Sequence, residues 1–274
     1  MPADRVRLGS RCVRARTDSA GAELELENGE VHRFDVLIGA DGIKSVTIDA
    51  VTDATPPIYS NLAAYRGLVP NEGAGRLDFG TLWTDRRRYF VAFPVSGGRL
   101  VNFVGVVPTP GRPEESWFMT GSKADLLEEF KDWAPKIRAL IDAVTETFRW
   151  GLYFRDPLEQ IVHGRIALMG DAAHPMLINA GQGVAMALED GVALGVLLEG
   201  ATPANIDERL RAYEQLRLPR VTAVQTLSRR NAQFMHADFP MEEGVTRPDR
   251  ASQVDWIVNY DVELEAAKRI EEMG

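Results

Sequence analysis

The sequence predicts a mixed α/β (α+β) fold: a parallel sheet flanked by helices, a second and mainly antiparallel sheet, and long helices toward the C-terminus. Three observations carry this. Two continuous apolar runs, Val36-Leu37-Ile38-Gly39 and Ile166-Ala167-Leu168-Met169-Gly170, read as short strands buried on both faces, the pattern of a parallel sheet under helices. Segments 88–93 and 100–106 are rich in aromatic and β-branched residues and meet across Gly97-Gly98, as long antiparallel strands do. Segment 182–198 repeats apolar residues every three or four positions, the spacing of a helix, and a further helix follows over about 206–234.

The elements follow in order. Residues 22–27 alternate apolar and polar with period two and end at Asn28-Gly29, a strong hairpin signal because both residues tolerate positive φ. After the returning strand comes the apolar run at 36–39. The second sheet occupies roughly the stretch from Tyr65 to Val107. Ser122 then caps a helix whose first turn is acidic at Asp125 and whose apolar face carries Leu126, Leu127, Phe130 and Trp133; Trp133 and Trp150 read most simply as core. The strand at 165–170 leads into a helix from Gln182 to Leu198, with Val184, Leu188, Val192 and Val196-Leu197-Leu198 at helical spacing. A longer helix, about 206–234, meets Pro219, which removes one backbone donor and predicts a kink. The stretch 239–250 reads as a polar loop and 254–273 as a terminal helix. No repeat or low-complexity tract is present.

Composition narrows the function classes. The 274 residues are 45% hydrophobic and 26% charged, which excludes a collagen-like, disordered or coiled-coil chain and suits one large or two small domains. A net charge of -9 argues against a nucleic-acid backbone as partner, and Arg86-Arg87-Arg88 reads as a solvated turn. Cys12 stands alone, so no internal disulfide is possible, and no histidine accompanies it as a catalytic pair. The four histidines show no metal-ligand spacing, no apolar run is long enough for a membrane helix, and Met1-Pro2-Ala3-Asp4-Arg5 lacks a signal-peptide core. The expectation is a cytoplasmic protein without metal, membrane or nucleic-acid partner.

Catalytic triad, P-loop and zinc-protease signatures are absent, which turns attention to Gly170-Asp171-Ala172-Ala173-His174-Pro175 and Ala180-Gly181-Gln182-Gly183. A strand ending in Gly-Asp sets a carboxylate at the carboxyl edge of a sheet, where it can accept hydrogen bonds from sugar-like hydroxyls. The Gly-x-Gly that opens the following helix leaves its first N–H groups bare, with the positive end of the helix dipole behind them. Together these suit a polyol joined to an anionic or electron-accepting group. A plain strand–turn–helix corner with an N-capping aspartate explains the same spacing.

These residues, with Ala187-Leu188-Glu189-Asp190, resemble the second flavin-binding motif of the FAD-dependent aromatic hydroxylases, the single-component flavoprotein monooxygenases of salicylate-hydroxylase and para-hydroxybenzoate-hydroxylase type. Asp35-Val36-Leu37-Ile38-Gly39-Ala40-Asp41-Gly42-Ile43-Lys44-Ser45 resembles the family's other internal motif, linked to both FAD and NAD(P)H. Tyr65-Arg66-Gly67, and the late Arg220, Gln225, Ser228, Arg229 and Asn231, extend the likeness over most of the chain. The resemblance implies that Asp171 binds the ribityl chain of FAD, with Gly170 allowing close approach. It places Gly181, Gln182, Gly183 and Val184 under the pyrimidine end of the flavin and Pro175 beside it. Asp41 and Gly42 would lie near the cofactor, Lys44 or Ser45 would contact the pyridine nucleotide, and Arg66 would have a catalytic or substrate-orienting role. A structural salt bridge is the alternative for Arg66, and a structural or flavin-packing role is implied for His174. The activity implied is hydroxylation of a small phenolic or aromatic acid substrate with NAD(P)H and O2, in which the protein supplies position, a dry pocket and charge stabilisation. The sheet carrying Tyr89, Phe90, Phe93 and Phe103 would wall that pocket, individually as core or as lining; Phe93 stands before Pro94 where the family often has Tyr.

On this reading 1–55 is part of an FAD-binding domain, 56–160 a substrate-binding antiparallel sheet domain, and 161–274 the second FAD motif with the C-terminal helices. The Gly-x-Gly-x-x-Gly strand–helix unit that opens the family is absent, so the parallel sheet is incomplete, and a homodimer or a complementing N-terminal fragment would cover its edge. Two other readings follow: an inactive remnant serving as an interaction or dimerisation module, and a flavoprotein of the same fold with other chemistry, such as epoxidation, halogenation or reduction.

Overall fold

A computed structural model describes residues 5–85, 87–111, 120–236 and 255–273. Arg86, the first four residues and the expected loop at 239–250 lie outside these. The chain divides into two compact units, one formed by the described parts of 1–57, 154–229 and 247–274, the other by those of 58–153 and 230–246.

The first unit begins with an antiparallel meander, β1 (Cys12–Asp18), β2 (Gly21–Leu26) and β3 (Val31–Phe34), in the order β1-β2-β3. Gly29, with φ of 86°, turns β2 into β3 where Asn28-Gly29 predicts it, and Leu26 donates its N–H to Glu30 O at 2.8 Å. A second small sheet runs β11 (Val162–His163), β12 (Ile166–Leu168), β4 (Leu37–Gly39), with β12 and β4 parallel although more than a hundred residues separate them. Ile166, Ala167 and Leu168 are fully buried, as their apolar run predicts. Leu37 and Ile38 are only half-buried. Their strand is an edge with one neighbour, so the expectation of burial on both faces holds for β12 and not for β4.

Helix α3 (Gly183–Leu198), helix α4 (Ile206–Met235) and helix α5 (Val262–Met273) complete this unit apart from the last turn of α4, which belongs to the second. Residue 254, the expected start of the terminal helix, lies outside the described residues; 255–258 are helical, and the helix is interrupted at 259–261 before α5. Helix α4 runs on through Pro219, whose missing N–H removes one rung without ending the helix. The core gathers Ile166, Leu168, Ala193, Leu194, Leu197, Leu210, Tyr213 and Ala266, and Tyr213 Oη donates to Leu168 O at 2.9 Å. In α3 the buried positions are Met186, Asp190, Ala193, Leu194 and Leu197, while Val184, Leu188 and Val192 are 76%, 66% and 40% exposed. The apolar repeat predicted the helix correctly, but this stripe faces away from the core.

The second unit is built on a six-stranded sheet ordered β6-β7-β8-β5-β10-β9. Its strands are β5 (Ile58–Pro70), β6 (Thr81–Thr84), β7 (Tyr89–Val95), β8 (Leu100–Pro108), β9 (Thr120–Gly121) and β10 (Thr147–Phe154). β7 and β8 pair antiparallel around a turn in which Ser96, Gly97 and Gly98 all take positive φ. Helices α1 (Lys123–Glu129) and α2 (Pro135–Ala143) cover one face, and Ser122 Oγ accepts the Asp125 N–H at 3.1 Å as the N-cap. Leu126, Phe130, Ile137, Leu140 and Ile141 are completely buried there against Phe90 and Phe103. Each such side chain contributes about 1.5–3 kcal/mol by leaving water.

The alternation of the strands sorts the aromatic residues. Phe90 and Phe103 stack at 5.0 Å on the helix-covered face. On the other face, across paired strands, lie Phe93, Asn102 and Leu68 in one row and Leu82, Val91, Val104 and Arg66 in the next. Of the four residues expected to wall a pocket, Phe90 and Phe103 therefore belong to the core, because period two turns every second side chain to the opposite side. Trp150 is buried as expected, with Arg66 over its ring, and the partly buried Trp133 meets Phe130 edge to face at 5.0 Å.

Candidate functional site

The carboxyl end of β12 leads into a tight 3-10 turn, Gly170–Ala172. Gly170 opens it with φ of 58°, a left-handed conformation that a side chain would strain, and an added Cβ would come within 3.3 Å of Ala187 Cβ. The N–H groups of Ala173 and His174 both reach Gly170 O at 2.9 Å. Between them Asp171 opens to the surface, and its carboxylate accepts no hydrogen bond among the described residues. Burial of its surroundings pushes the Asp171 pKa up, against the opposing pull of His174.

The chain then passes Pro175, a turn at Ile178–Ala180 and Gly181 before α3 starts at Gly183. Gly181 takes φ of 66° and has open space where a Cβ would stand. Gln182 is the N-cap residue, and its side chain makes no capping hydrogen bond. The first N–H groups of α3, those of Gly183, Val184 and Ala185, are left for another acceptor, with the dipole's positive end behind them.

Helix α4 supports this loop from the side. Gln225 Nε2 donates to Pro175 O and Arg155 O, both at 3.3 Å, and Ser228 Oγ donates to Leu177 O and accepts the Ala180 N–H at 3.3 Å. Arg229 Nη1 meets Asp156 Oδ1 at 2.9 Å. Arg220 grips Glu189 through Nε and Nη2, each at 2.7 Å. Of these residues, Gln225 and Ser228 fix the backbone that carries Pro175 and Gly181, while Arg220 and Arg229 make ion pairs with Glu189 and Asp156.

Asp41 follows β4. Its carboxylate accepts from Ser45 Oγ at 2.6 Å, Thr47 Oγ1 at 2.7 Å, Val46 N at 2.8 Å and Thr47 N at 3.2 Å. Burial raises its pKa, but these four donors outweigh that and hold it below the usual carboxylate value. Asp41 thus closes its own loop, and Gly42, with φ of 79°, sits at the bend. Arg155, unremarked in the sequence, joins the two turns: its buried guanidinium donates from Nη2 to Ile43 O and its backbone N–H to Pro175 O, both at 3.3 Å.

Arg66 belongs to the second unit, on β5. Its guanidinium lies 5.3 Å from the Phe148 ring centroid and 5.2 Å from that of Trp150, and it makes no ion pair among the described residues, so the salt-bridge alternative does not hold. His174 is 1% exposed and bonded to Asp190, which removes it from any role as an open base. Among the described residues no cluster of histidine, cysteine or carboxylate could hold a metal, and no helix is long and apolar enough to cross a membrane.

A surface carboxylate beside a strand end, followed by a helix start preceded by a left-handed glycine, could hold a ligand that pairs hydroxyls with an electron-accepting ring. FAD has that chemistry, and the residues present fit it: Asp171 is an unused acceptor and the start of α3 an unused set of donors. The profile of the FAD binding domain family matches residues 76–228. The chain is 37% identical to the 3-amino-4-hydroxybenzoate 2-monooxygenase of Streptomyces cremeus, over 86% of this chain and 59% of that protein. It is 30% identical to a salicylate hydroxylase of Pseudomonas putida over 100% of this chain and 69% of that one. Among solved structures, a salicylate hydroxylase substrate complex superposes with a TM-score of 0.83 at 29% identity, covering 98% of this chain and 72% of the other. Klebsiella pneumoniae HpxO complexed with FAD and uric acid gives 0.78 at 29% identity, covering 98% and 66%. The chain belongs to the FAD-binding family of aromatic monooxygenases typified by salicylate hydroxylase. It spans about three-fifths to two-thirds of the length of the curated relatives it matches.

Proposed function

We propose that this chain is the greater part of an FAD-dependent monooxygenase that hydroxylates a small aromatic substrate, a phenol or aromatic acid, with NAD(P)H and O2. The observation that carries the reading is the Asp171 turn set against the uncapped start of α3. FAD, when bound, supplies the electron-transfer and oxygen chemistry. The protein's part is to bind, orient and exclude water.

In this reading Asp171 accepts hydrogen bonds from the ribityl hydroxyls, with Gly170 keeping the approach clear. Gly181, Gln182, Gly183 and Val184 lie under the pyrimidine end; the Gly181 N–H is held by Ile178 O, so the N–H groups at the start of α3 face the ring, where the helix dipole favours negative charge. Pro175 shapes the space beside the ring. The Asp41-Gly42 turn lies near the cofactor, and Lys44 or Ser45 contacts the NAD(P)H. Arg66, held over Phe148 and Trp150, orients the substrate, and the sheet face it shares with Val91, Phe93 and Asn102 contributes the wall. The single cysteine, which can form no disulfide within the chain, fits the cytoplasm.

The test is substrate-stimulated oxidation of NADH or NADPH by the FAD-loaded protein, with hydroxylated product matching O2 consumed. A loaded protein that oxidises neither nucleotide in the presence of a panel of phenols and aromatic acids would falsify the proposal.

A second reading is favoured by one observation. The exposed stripe Val184, Leu188 and Val192, with the edge of β4 that pairs with no strand among the described residues, is a surface that water covers poorly. A second copy of the chain, or a fragment carrying the Gly-rich strand–helix unit, would cover it. Light scattering of the flavin-free protein distinguishes the two: a stable dimer supports the first, a monomer the second.

A further inference from the structure

We infer that Asp190 is a positioning residue for the turn that carries Asp171, acting through the amide of Gly170 and the imidazole of His174; its functional half rests on the flavin reading above. Helix α3 is apolar on its inward face, where Met186, Ala193, Leu194 and Leu197 are buried. Asp190 sits among them with no exposed surface at all. Its Oδ2 accepts the Gly170 N–H at 2.9 Å and His174 Nε2 at 2.6 Å, and its Oδ1 accepts Arg217 Nε at 2.8 Å. Gly170 and His174 are the two ends of the turn. One carboxylate from a helix therefore pins both, and Asp171, which has no bond of its own among the described residues, is held by its neighbours.

The carboxylate is kept charged by its partners. Burial alone would raise the pKa of Asp190; the His174 hydrogen bond, the charges of His174 and Arg217 and the Gly170 amide together hold it below the usual range. Arg217 continues the array, donating from Nη1 to Glu189 Oε2 at 2.6 Å and from Nη2 to Met186 O at 3.3 Å, and Glu189 is gripped in turn by Arg220. Packing alone does not account for an aspartate here, since an apolar residue would fill the same face. The carboxylate is the group that three donors, two from the turn and one from α4, require.

The test compares Asp190→Asn with Leu194→Ala, a cavity variant one turn along the same buried face, at a temperature where circular dichroism shows both folded. An asparagine offers one acceptor oxygen to donors that now share two. FAD titration is expected to give a Kd raised about tenfold or more in Asp190→Asn and changed less than about twofold in Leu194→Ala. In the flavin-free protein, the Gly170 amide proton is expected far downfield, moving upfield in Asp190→Asn and not in Leu194→Ala. Should Asp190→Asn alone not fold, the pair Asp190→Asn with Arg217→Met, which leaves no uncompensated guanidinium, takes its place. An Asp190 variant that binds FAD as tightly as the cavity variant, or leaves the Gly170 amide unmoved, overturns the inference. If the unsubstituted chain takes up no FAD, the cofactor reading fails by itself, and the Gly170 signal still decides whether Asp190 sets the turn.

Discussion

His174 and Asp190 meet at 2.6 Å through Nε2 and Oδ2, both essentially without exposure, and Arg217 closes on the other carboxylate oxygen at 2.8 Å. A buried ion array of this kind is strongly sensitive to losing one member, because the remaining charge stays desolvated and unpaired. Arg217→Met leaves Asp190 and Glu189 short of their shared cation. Urea denaturation is expected to show a loss of about 3–5 kcal/mol, with the midpoint shifted and the slope unchanged.

The acid limb of stability follows from the carboxylates. Asp41 and Asp190 have folded-state pKa values below the unfolded value. Such groups contribute stability that is fully present above the unfolded pKa and is lost as pH falls through the folded one. Stability should therefore be flat above about pH 5 and fall steeply below about pH 4. Asp41→Asn should be less stable at neutral pH and show a shallower acid decline in thermal melts recorded from pH 3 to pH 7.

Alternation in β7 separates two neighbouring phenylalanines. Phe90 is completely buried on the helix-covered face, and Phe93 is 38% exposed on the other. Phe90→Ala should cost about 3–5 kcal/mol, from lost burial and the cavity left behind. Phe93→Ala should cost under about 1 kcal/mol and should instead alter KM for aromatic substrates. Equal destabilisation by the two would mean that the faces are misassigned.

Arg66 has no carboxylate partner among the described residues and rests on two aromatic rings. Removing it from this half-buried cation–π contact is expected to cost about 1–2 kcal/mol of stability. Arg66→Ala should keep FAD affinity, lose substrate-stimulated NAD(P)H oxidation by about tenfold or more, and recover part of it in Arg66→Lys. Unchanged turnover would remove Arg66 from the substrate site.

Much of this arrangement was legible in the residues because local physics determines it. Asn28-Gly29 gives its hairpin, Ser122 its helix start, and the run at 166–168 its buried strand. The Gly170 turn and the glycine-flanked opening of α3 were legible as a candidate ligand site, and as a plain strand–turn–helix corner, because glycine and a surface carboxylate serve both. What periodicity could not reveal was which side of an element meets the core. Val184, Leu188 and Val192 have the right spacing for a buried stripe, yet the inward face of α3 is the one that carries Asp190. An acidic residue three or four positions from Met186, Ala193 and Leu194 was the available signal, and its partner Arg217 lies on another helix, out of reach of any local pattern. Asp41 shows the same limit from the other side: its motif marks it as a cofactor residue, while its four hydrogen bonds close its own loop. Strand β10 lacks a clean alternation, being buried at Trp150, Gly151 and Leu152 in succession, and took its identity from pairing within the sheet.

The central claim is that the Asp171 turn and the start of α3 hold FAD. Titrating FAD into the flavin-free chain, followed by the visible absorbance of the flavin, tests it most directly in the unsubstituted protein and in Asp171→Ala. Saturable binding of one FAD per chain is expected, weakened about tenfold or more in Asp171→Ala. That variant should melt no lower than the parent near neutral pH, since burial disfavours the Asp171 charge and raises its folded pKa. A folded chain that binds no FAD, or an Asp171→Ala variant that binds it equally well, would contradict the account.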